Sequence, residues 1–240
     1  MSKVRIYISP RHIDREIKIN DIETIHKLTD VLRKEKSDTI YVFDGQGKEY
    51  SFKIYHISKR TITIAEKKLL RTQVLSKPSV TLGLPLVKER KFEFILEKAA
   101  ELGVDVFRPF ICQRSLKFTP GPSKIKRWKR VILESSRQSG RLWIPEIMDV
   151  IGLKELAAVV FPLKFTATLN LGKNISSFLK NTGDSLIVVG PEGDFSDSEY
   201  KMLSGNNFVP WNISSNILRT ETAAISAVAV LKYFRENNES

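Results

Sequence analysis

Ser185-Leu-Ile-Val-Val-Gly-Pro-Glu-Gly-Asp-Phe-Ser-Asp-Ser-Glu199 is the stretch on which the fold of this chain turns. Its first part is a short apolar, β-branched run, the pattern of a strand buried on both faces in a parallel sheet. Gly190-Pro-Glu-Gly193 breaks the run. Ser196-Asp-Ser-Glu199 then matches the capping box that opens a helix, with serine and glutamate three residues apart. Strand, glycine turn and capped helix are the repeating unit of an α/β domain, in which ligands bind beyond the carboxyl ends of the strands. The two glycines let backbone amides approach a ligand closely. The spacing is not G-x-G-x-x-G and no Gly-Lys-Ser/Thr follows, so a dinucleotide fingerprint and a phosphate loop are both excluded. Taken alone, the turn reads as an ordinary tight connection.

Outward from this stretch the same alternation continues. Val80–Leu84 reads as a strand. Lys88–Leu102 reads as a helix with Phe92, Ile95, Leu96, Ala99 and Leu102 inward, stopped by Gly103. Val104–Phe110 is a strand and Lys124–Ser139 a basic helix, with Ile125, Trp128 and Ile132 on its core side. Short strands are expected at Ala157–Phe161, Phe165–Leu169 and Phe208–Ile213, and a last helix at Thr220–Phe234. Before residue 73 the texture differs. Val4–Ile8, Thr39–Phe43, Tyr50–Ile57 and Thr61–Ile64 are β-branched and aromatic, and Asp44-Gly-Gln-Gly47 is a hairpin turn. Thr24–Arg33 reads as a helix there. The chain therefore divides into a small β-barrel-like module at 1–72, a linker at 73–78 and an α/β domain at 79–240.

The charge is basic and uneven. The 240 residues carry 39 Lys/Arg against 27 Asp/Glu, net +12, which points to a polyanionic partner. Residues 108–141 alone hold net +9 and residues 1–72 net +6, whereas 142–240 are net −3. Arg127, Arg130, Arg137 and Arg141 fall on one helical stripe, and arginine is the residue for bidentate phosphate contact. A solvated helix face is the competing account. The single cysteine, Cys112, excludes an internal disulfide, and no ligand spacing suggests a metal. With no apolar leader and no run of membrane length, the expected location is the cytoplasm, without a membrane.

Few residues can carry chemistry. The three histidines, His12, His26 and His56, all precede residue 73, so the α/β domain holds no Ser-His-Asp set. Acyl hydrolysis lacks a general base, and a reaction driven by a cofactor fits better. Asn216-Ile-Leu-Arg-Thr-Glu-Thr-Ala-Ala224 leads into the last helix. Thr220 can cap that helix and Glu221 suits its first turn, while Arg219 stands beside amides able to hold an anion. The run Ala223–Ala229 is dense in small residues, which permits close backbone packing.

Six motifs in order carry a resemblance: Lys98-Ala-Ala-Glu-Leu-Gly103, Gln113-Arg-Ser115, Arg127-Trp128, Glu134–Arg141 with Pro145, Gly190-Pro-Glu-Gly193 and Ile217–Ala223. Together they resemble the RsmE family of bacterial small-subunit rRNA uridine N3-methyltransferases, over nearly the whole chain. Arg5 with Tyr7, and His26 with Val31–Arg33 and the Asp44-Gly45 turn, resemble that family's PUA-like N-terminal domain. The resemblance implies a SPOUT methyltransferase domain with a C-terminal trefoil knot, a homodimer, and S-adenosylmethionine as cofactor. It assigns the cofactor to Leu169, Gly190, Pro191, Glu192, Gly193, Asp194, Ile213 and Leu218. RNA falls to Arg5, Arg114, Arg127, Arg130, Arg137, Gln138 and Arg141, and catalysis to Arg219 and Glu221. Arg219 would stabilise the uracil anion; Glu221 reads as a base or as part of the helix start. Two positions depart from the family pattern: Asp194 replaces a second glycine, and Ser214-Ser215 replaces Leu-Gly. Asp194 reads as an extra base or as a solvated carboxylate. A non-catalytic ribosome-assembly factor of the same fold and a knotted tRNA methyltransferase are the competing functions.

Overall fold

The computed structural model describes residues 4–75, 78–168 and 183–237, so Leu169 and linker residues Ser76 and Lys77 lie outside the described residues. Two compact units form. Residues 1–75 with 136–144 make the first, and 76–135 with 145–240 the second. The segment 136–144, placed by the sequence in the α/β domain, packs with the N-terminal strands instead.

In the first unit five strands are ordered β1-β3-β4-β5-β2, with β1 Arg5–Tyr7, β2 Ile17–Ile19, β3 Thr39–Phe43, β4 Lys48–Ile57 and β5 Ile62–Thr72. β1 pairs with β3 in parallel and the other pairs are antiparallel. β5 runs well past the expected Ile64 because its outer half keeps pairing with β4. The expected helix at 24–33 is α1, Ile22–His26, capped by Asp21, followed by a π-type turn through Val31. Its Ile25 and Leu28 close a core with Ile40, Val42, Phe52, Ile54, Ile62 and Ile64. At the β3–β4 turn Asp44 Oδ1 accepts from the N–H groups of Gln46 and Lys48, and Gly45 takes φ +71°.

Arg5 explains why 136–144 belong here. Its buried guanidinium donates to Glu49 and to the carbonyls of Ser136, Arg137 and Arg141, at 2.6–3.2 Å. Arg71 adds bonds to Glu49 and to the Gly140 carbonyl. Burial pushes the Glu49 carboxyl up, but hydrogen bonds from Arg71 and Arg5 outweigh it and hold the group below its usual value.

The second unit is a parallel sheet ordered β12-β10-β11-β6-β7-β8, with β9 also on β7. Its strands are β6 Val80–Pro85, β7 Val106–Ile111, β8 Glu146–Ile147, β9 Ile151–Gly152, β10 Leu163–Ala167, β11 Ser185–Val188 and β12 Val209–Trp211. The helices are α2 Glu89–Glu101, α3 Pro122–Ser139, α4 Leu153–Ala158, α5 Asp197–Gly205 and α6 Thr220–Asn237. β6 and β11 are buried at every position, as their apolar runs require. The strand expected at 157–161 is absent: Ala157 and Leu156 form the buried face of α4. β10 begins only after Pro162, whose missing N–H suits a strand entrance. Trp128 stacks on Phe92 at 4.4 Å, so it is core and not a base platform. Small residues of α6, Ala224, Ala227 and Val228, are fully buried where the helix meets α2 and β6. Its far end is fixed by the Lys232–Asp105 ion pair at 3.1 Å and by Arg235 on the carbonyls of Pro78, Ser79 and Gly183. Among the described residues no helix is long and apolar enough to cross a membrane.

Candidate functional site

Three neighbouring parallel strands, β12, β10 and β11, end at one place, and the segments leaving them enclose a cleft. It is lined by Ala167 and Thr168 after β10, by Gly190, Pro191, Glu192 and Asp194 after β11, and by Asn212, Ile213, Ser214, Asn216, Ile217 and Leu218 after β12. Thr220 and Ala223 of α6 complete it. This is the carboxyl edge at which open α/β sheets hold ligands.

Each wall has a local cause. The Asp194 N–H donates to the Pro191 carbonyl at 2.9 Å, closing a turn over Pro191–Asp194. Asp194 itself takes φ +60°, the left-handed region that suits glycine and, after it, Asp and Asn. Its Oδ1 accepts from the Phe195 N–H and the Tyr200 hydroxyl, each at 2.8 Å. A side chain at Gly190 would bring a Cβ within 2.7 Å of that oxygen. Ser196 and Glu199 form the expected capping box, and Glu199 also accepts from the Gln113 N–H at 2.7 Å. Across the cleft, Ser214 and Asn216 are held by hydrogen bonds to the side chains of Asn212 and Ser214. Side-chain bonds thus order the segment that lacks Leu-Gly. Thr220 does not cap its helix with its hydroxyl, which donates to the Gly190 carbonyl at 3.0 Å and ties α6 to the turn.

The charges are arranged around Lys91 of α2. Its ammonium lies 2.7 Å from Glu192 and 3.6 Å from Glu221. The hydrogen bond to Glu192, reinforced by Glu221, raises the Lys91 pKa, and the same bond lowers that of Glu192. Glu221 turns Oε1 towards Lys91, while its buried Oε2 has no hydrogen-bond partner. Arg219 is exposed beside these groups, and its carbonyl accepts the Ala223 N–H at the start of α6. Tyr200 is pushed well above the usual phenol range, by burial first and by the neighbouring Asp194 carboxylate, against an opposing hydrogen bond with Thr168. Burial likewise raises the Cys112 thiol, which therefore makes a poor nucleophile.

The sequence candidates distribute as follows. Gly190, Pro191, Glu192, Asp194, Ile213 and Leu218 line the cleft. Gly193 faces away, with its carbonyl accepting from Arg114 at 2.6 Å. Arg114, expected as an RNA contact, holds the turn through this bond. Arg5 is interior to the first unit, with its guanidinium occupied. Arg141 lies beyond the end of α3, past Gly140 at φ +85°, so the helical stripe stops at Arg137. Arg127 is engaged by both oxygens of Glu93. Arg130 and Gln138 are exposed on α3, and Arg137 is half-buried. Lys91 and Tyr200 were missed. Neither sits in a recognisable motif, and the fold alone brings Glu192 and Glu221 to Lys91 and the Asp194 carboxylate of the preceding turn to Tyr200.

Comparison with known proteins agrees with this architecture. Residues 75–232 match the family model described as an RNA methyltransferase domain. Ribosomal RNA small subunit methyltransferase E of Rickettsia conorii is 30% identical over 239 residues, covering 95% of this chain and 94% of the relative. The protein of the same name from Bacillus subtilis is 30% identical over 229 residues, covering 89% of each chain. Among solved structures, a Legionella pneumophila protein with the cofactor SAM bound superposes with a TM-score of 0.88 at 27% identity, covering 97% of this chain and 98% of that one.

Proposed function

The chain belongs to the RNA methyltransferase family, on the small subunit methyltransferase E branch: it is an S-adenosylmethionine-dependent rRNA methyltransferase, and we propose that its target is N3 of a uridine in small-subunit ribosomal RNA. The observation that carries this reading is the cleft at the ends of β10, β11 and β12. Its lining suits the cofactor, with apolar Ile213, Ile217, Leu218 and Ala223 for a flat base and polar Asn212, Ser214, Thr220 and Asp194 for a sugar and an amino-acid tail. When bound, that cofactor supplies a methyl group already activated by its sulfonium.

The protein then has two tasks, to orient the acceptor and to favour its anion. N3 of uracil must lose its proton as the new N–C bond forms. Arg219, exposed beside the cleft, stabilises the resulting charge on the uracil. Glu221 is turned to Lys91, and Lys91 to Glu192 on the cleft wall. Of its two readings, base and helix start, we therefore take Glu221 as part of a brace at the start of α6. Arg114 braces the same turn from the other side. Phosphate contacts fall to Arg127, Arg130 and Gln138 of α3. The first unit acts as the PUA-like RNA-binding module. The passage of the chain from β12 past the Gly190 turn into α6 is the trefoil threading, and the working form is a cytoplasmic homodimer.

The test is incorporation of labelled methyl from S-adenosylmethionine into purified small subunits and into naked rRNA. Label in the small-subunit rRNA supports the reading. S-adenosylmethionine binding without transfer to either RNA favours the assembly-factor alternative, and transfer only to tRNA favours the third.

A further inference from the structure

Among the residues lining the cleft, Glu192 and Asp194 are the two with ionisable side chains, and both are acidic. They differ in what faces them. Glu192 is matched by the Lys91 ammonium at 2.7 Å. Asp194 has no basic partner among the described residues. Its hydrogen bonds there come from neutral donors, the Phe195 N–H and the Tyr200 hydroxyl, and both fall on Oδ1. Oδ2 is left with its lone pairs on an exposed residue of the cleft wall. The carboxylate is held in place from several sides. Tyr200 is itself half-buried beside it, and the absence of a side chain at Gly190 gives Oδ1 its room. The backbone takes φ +60°, where glycine is most at ease and Asp and Asn come next, so the turn itself does not call for a carboxylate. An oriented carboxylate on the cleft wall, with one oxygen free of protein donors and no basic side chain beside it, is available to a cationic ligand.

We propose that Asp194 is the counter-ion of the cofactor: its Oδ2 receives a cationic group of S-adenosylmethionine, ammonium or sulfonium, with Tyr200 as the positioning residue that sets the carboxylate. This rests on the reading of the cleft as the cofactor site. The two cations make different demands. The ammonium survives in the product S-adenosylhomocysteine, whereas the sulfonium becomes a neutral thioether once the methyl has left. A carboxylate facing the sulfonium therefore discriminates cofactor from product, and one facing the ammonium binds both.

The experiment is calorimetric titration of the full chain with S-adenosylmethionine and S-adenosylhomocysteine, with a melting curve for each variant. Asp194→Asn keeps the shape and removes the charge. It is expected to weaken S-adenosylmethionine by about ten- to a hundredfold, the range for a charge-assisted bond. Asp194→Gly should weaken it as much while melting no lower than wild type. Tyr200→Phe should weaken it by less, about threefold to tenfold. Loss shared by both ligands identifies the ammonium, and loss confined to S-adenosylmethionine the sulfonium. Ala223→Leu, which fills the cleft from α6 and leaves the Asp194 charge in place, separates the two levels of the claim. If Ala223→Leu abolishes binding while Asp194→Asn and Asp194→Gly bind as wild type, the counter-ion assignment is overturned and the cofactor site stands. If Ala223→Leu binds normally, the cleft is not the cofactor site and both fall.

Discussion

Replacing Arg219 by alanine is expected to lower turnover by about two to three orders of magnitude, the range for losing one transition-state donor. Melting temperature and cofactor affinity should stay near wild type, because Arg219 is exposed and outside the cleft lining. Lysine should recover part of the rate, keeping the charge but not the planar fork. A large melting shift in Arg219→Ala would return the residue to a structural role. Glu49 gives the opposite kind of variant. It is 1% exposed and holds Arg5 and Arg71. Glu49→Gln should destabilise the first unit by about 3–5 kcal/mol, the cost of leaving a buried arginine without its counter-charge. The Glu49 carboxyl is held below its usual 4.5, so its contribution is present above that pH and is lost as pH falls through the depressed value. Acid melting curves of the wild type should therefore fall more steeply below about pH 4.5 than those of Glu49→Gln. The contrast between the two residues bears on what a sequence tells. Arg219 was legible because it stands in a motif beside a helix start. Arg5 reads as an RNA contact from sequence, since nothing in the local pattern shows that its carbonyl partners lie more than 130 positions away. Asp194 was visible as a departure, but its left-handed backbone and the Tyr200 hydroxyl are properties of the folded turn.

The elements around the cleft were largely readable, because periodicity and caps are local. The 185–199 stretch forms β11, the turn and α5, and the capping box closes as the serine and glutamate spacing requires. Its contribution is measurable. Ser196→Ala should lower stability by about 1 kcal/mol, the usual worth of a helix cap, with cofactor affinity unchanged. Glu199→Ala should cost more and should weaken cofactor binding as well. It frees the Gln113 N–H, next to the Arg114 that braces Gly193. Equal effects of the two variants on both measurements would mean that Glu199 is a cap and nothing more. The elements that were misread share a cause. At 157–161 an apolar stretch beside a proline looks like a strand, yet Leu153, Leu156 and Ala157 bury one face of a six-residue helix. Short apolar runs do not distinguish the two by period alone.

Across the whole molecule, the sequence shows a change of texture over residues 73–78, but nothing in it marks 136–144 as part of the first unit. That return is specified by buried hydrogen bonds to backbone carbonyls, which any sequence offers. Of the expected arginine stripe, Arg127, Arg130 and Arg137 lie on α3 and Arg141 lies off the helix. Removing Arg127 and Arg130 together should reduce the salt slope of rRNA binding by up to about two units, one per phosphate contact. The Arg127 share should be the smaller, since Glu93 already competes for its guanidinium. An unchanged slope would make this face a solvated one. The measurement closest to the central claim is nucleoside analysis by mass spectrometry of small-subunit rRNA that lacks the modification, after incubation with the protein and methyl-labelled S-adenosylmethionine. The account predicts labelled 3-methyluridine at one site, lost in Arg219→Ala. Label on another base or on ribose, or an equal yield from Arg219→Ala, would contradict it.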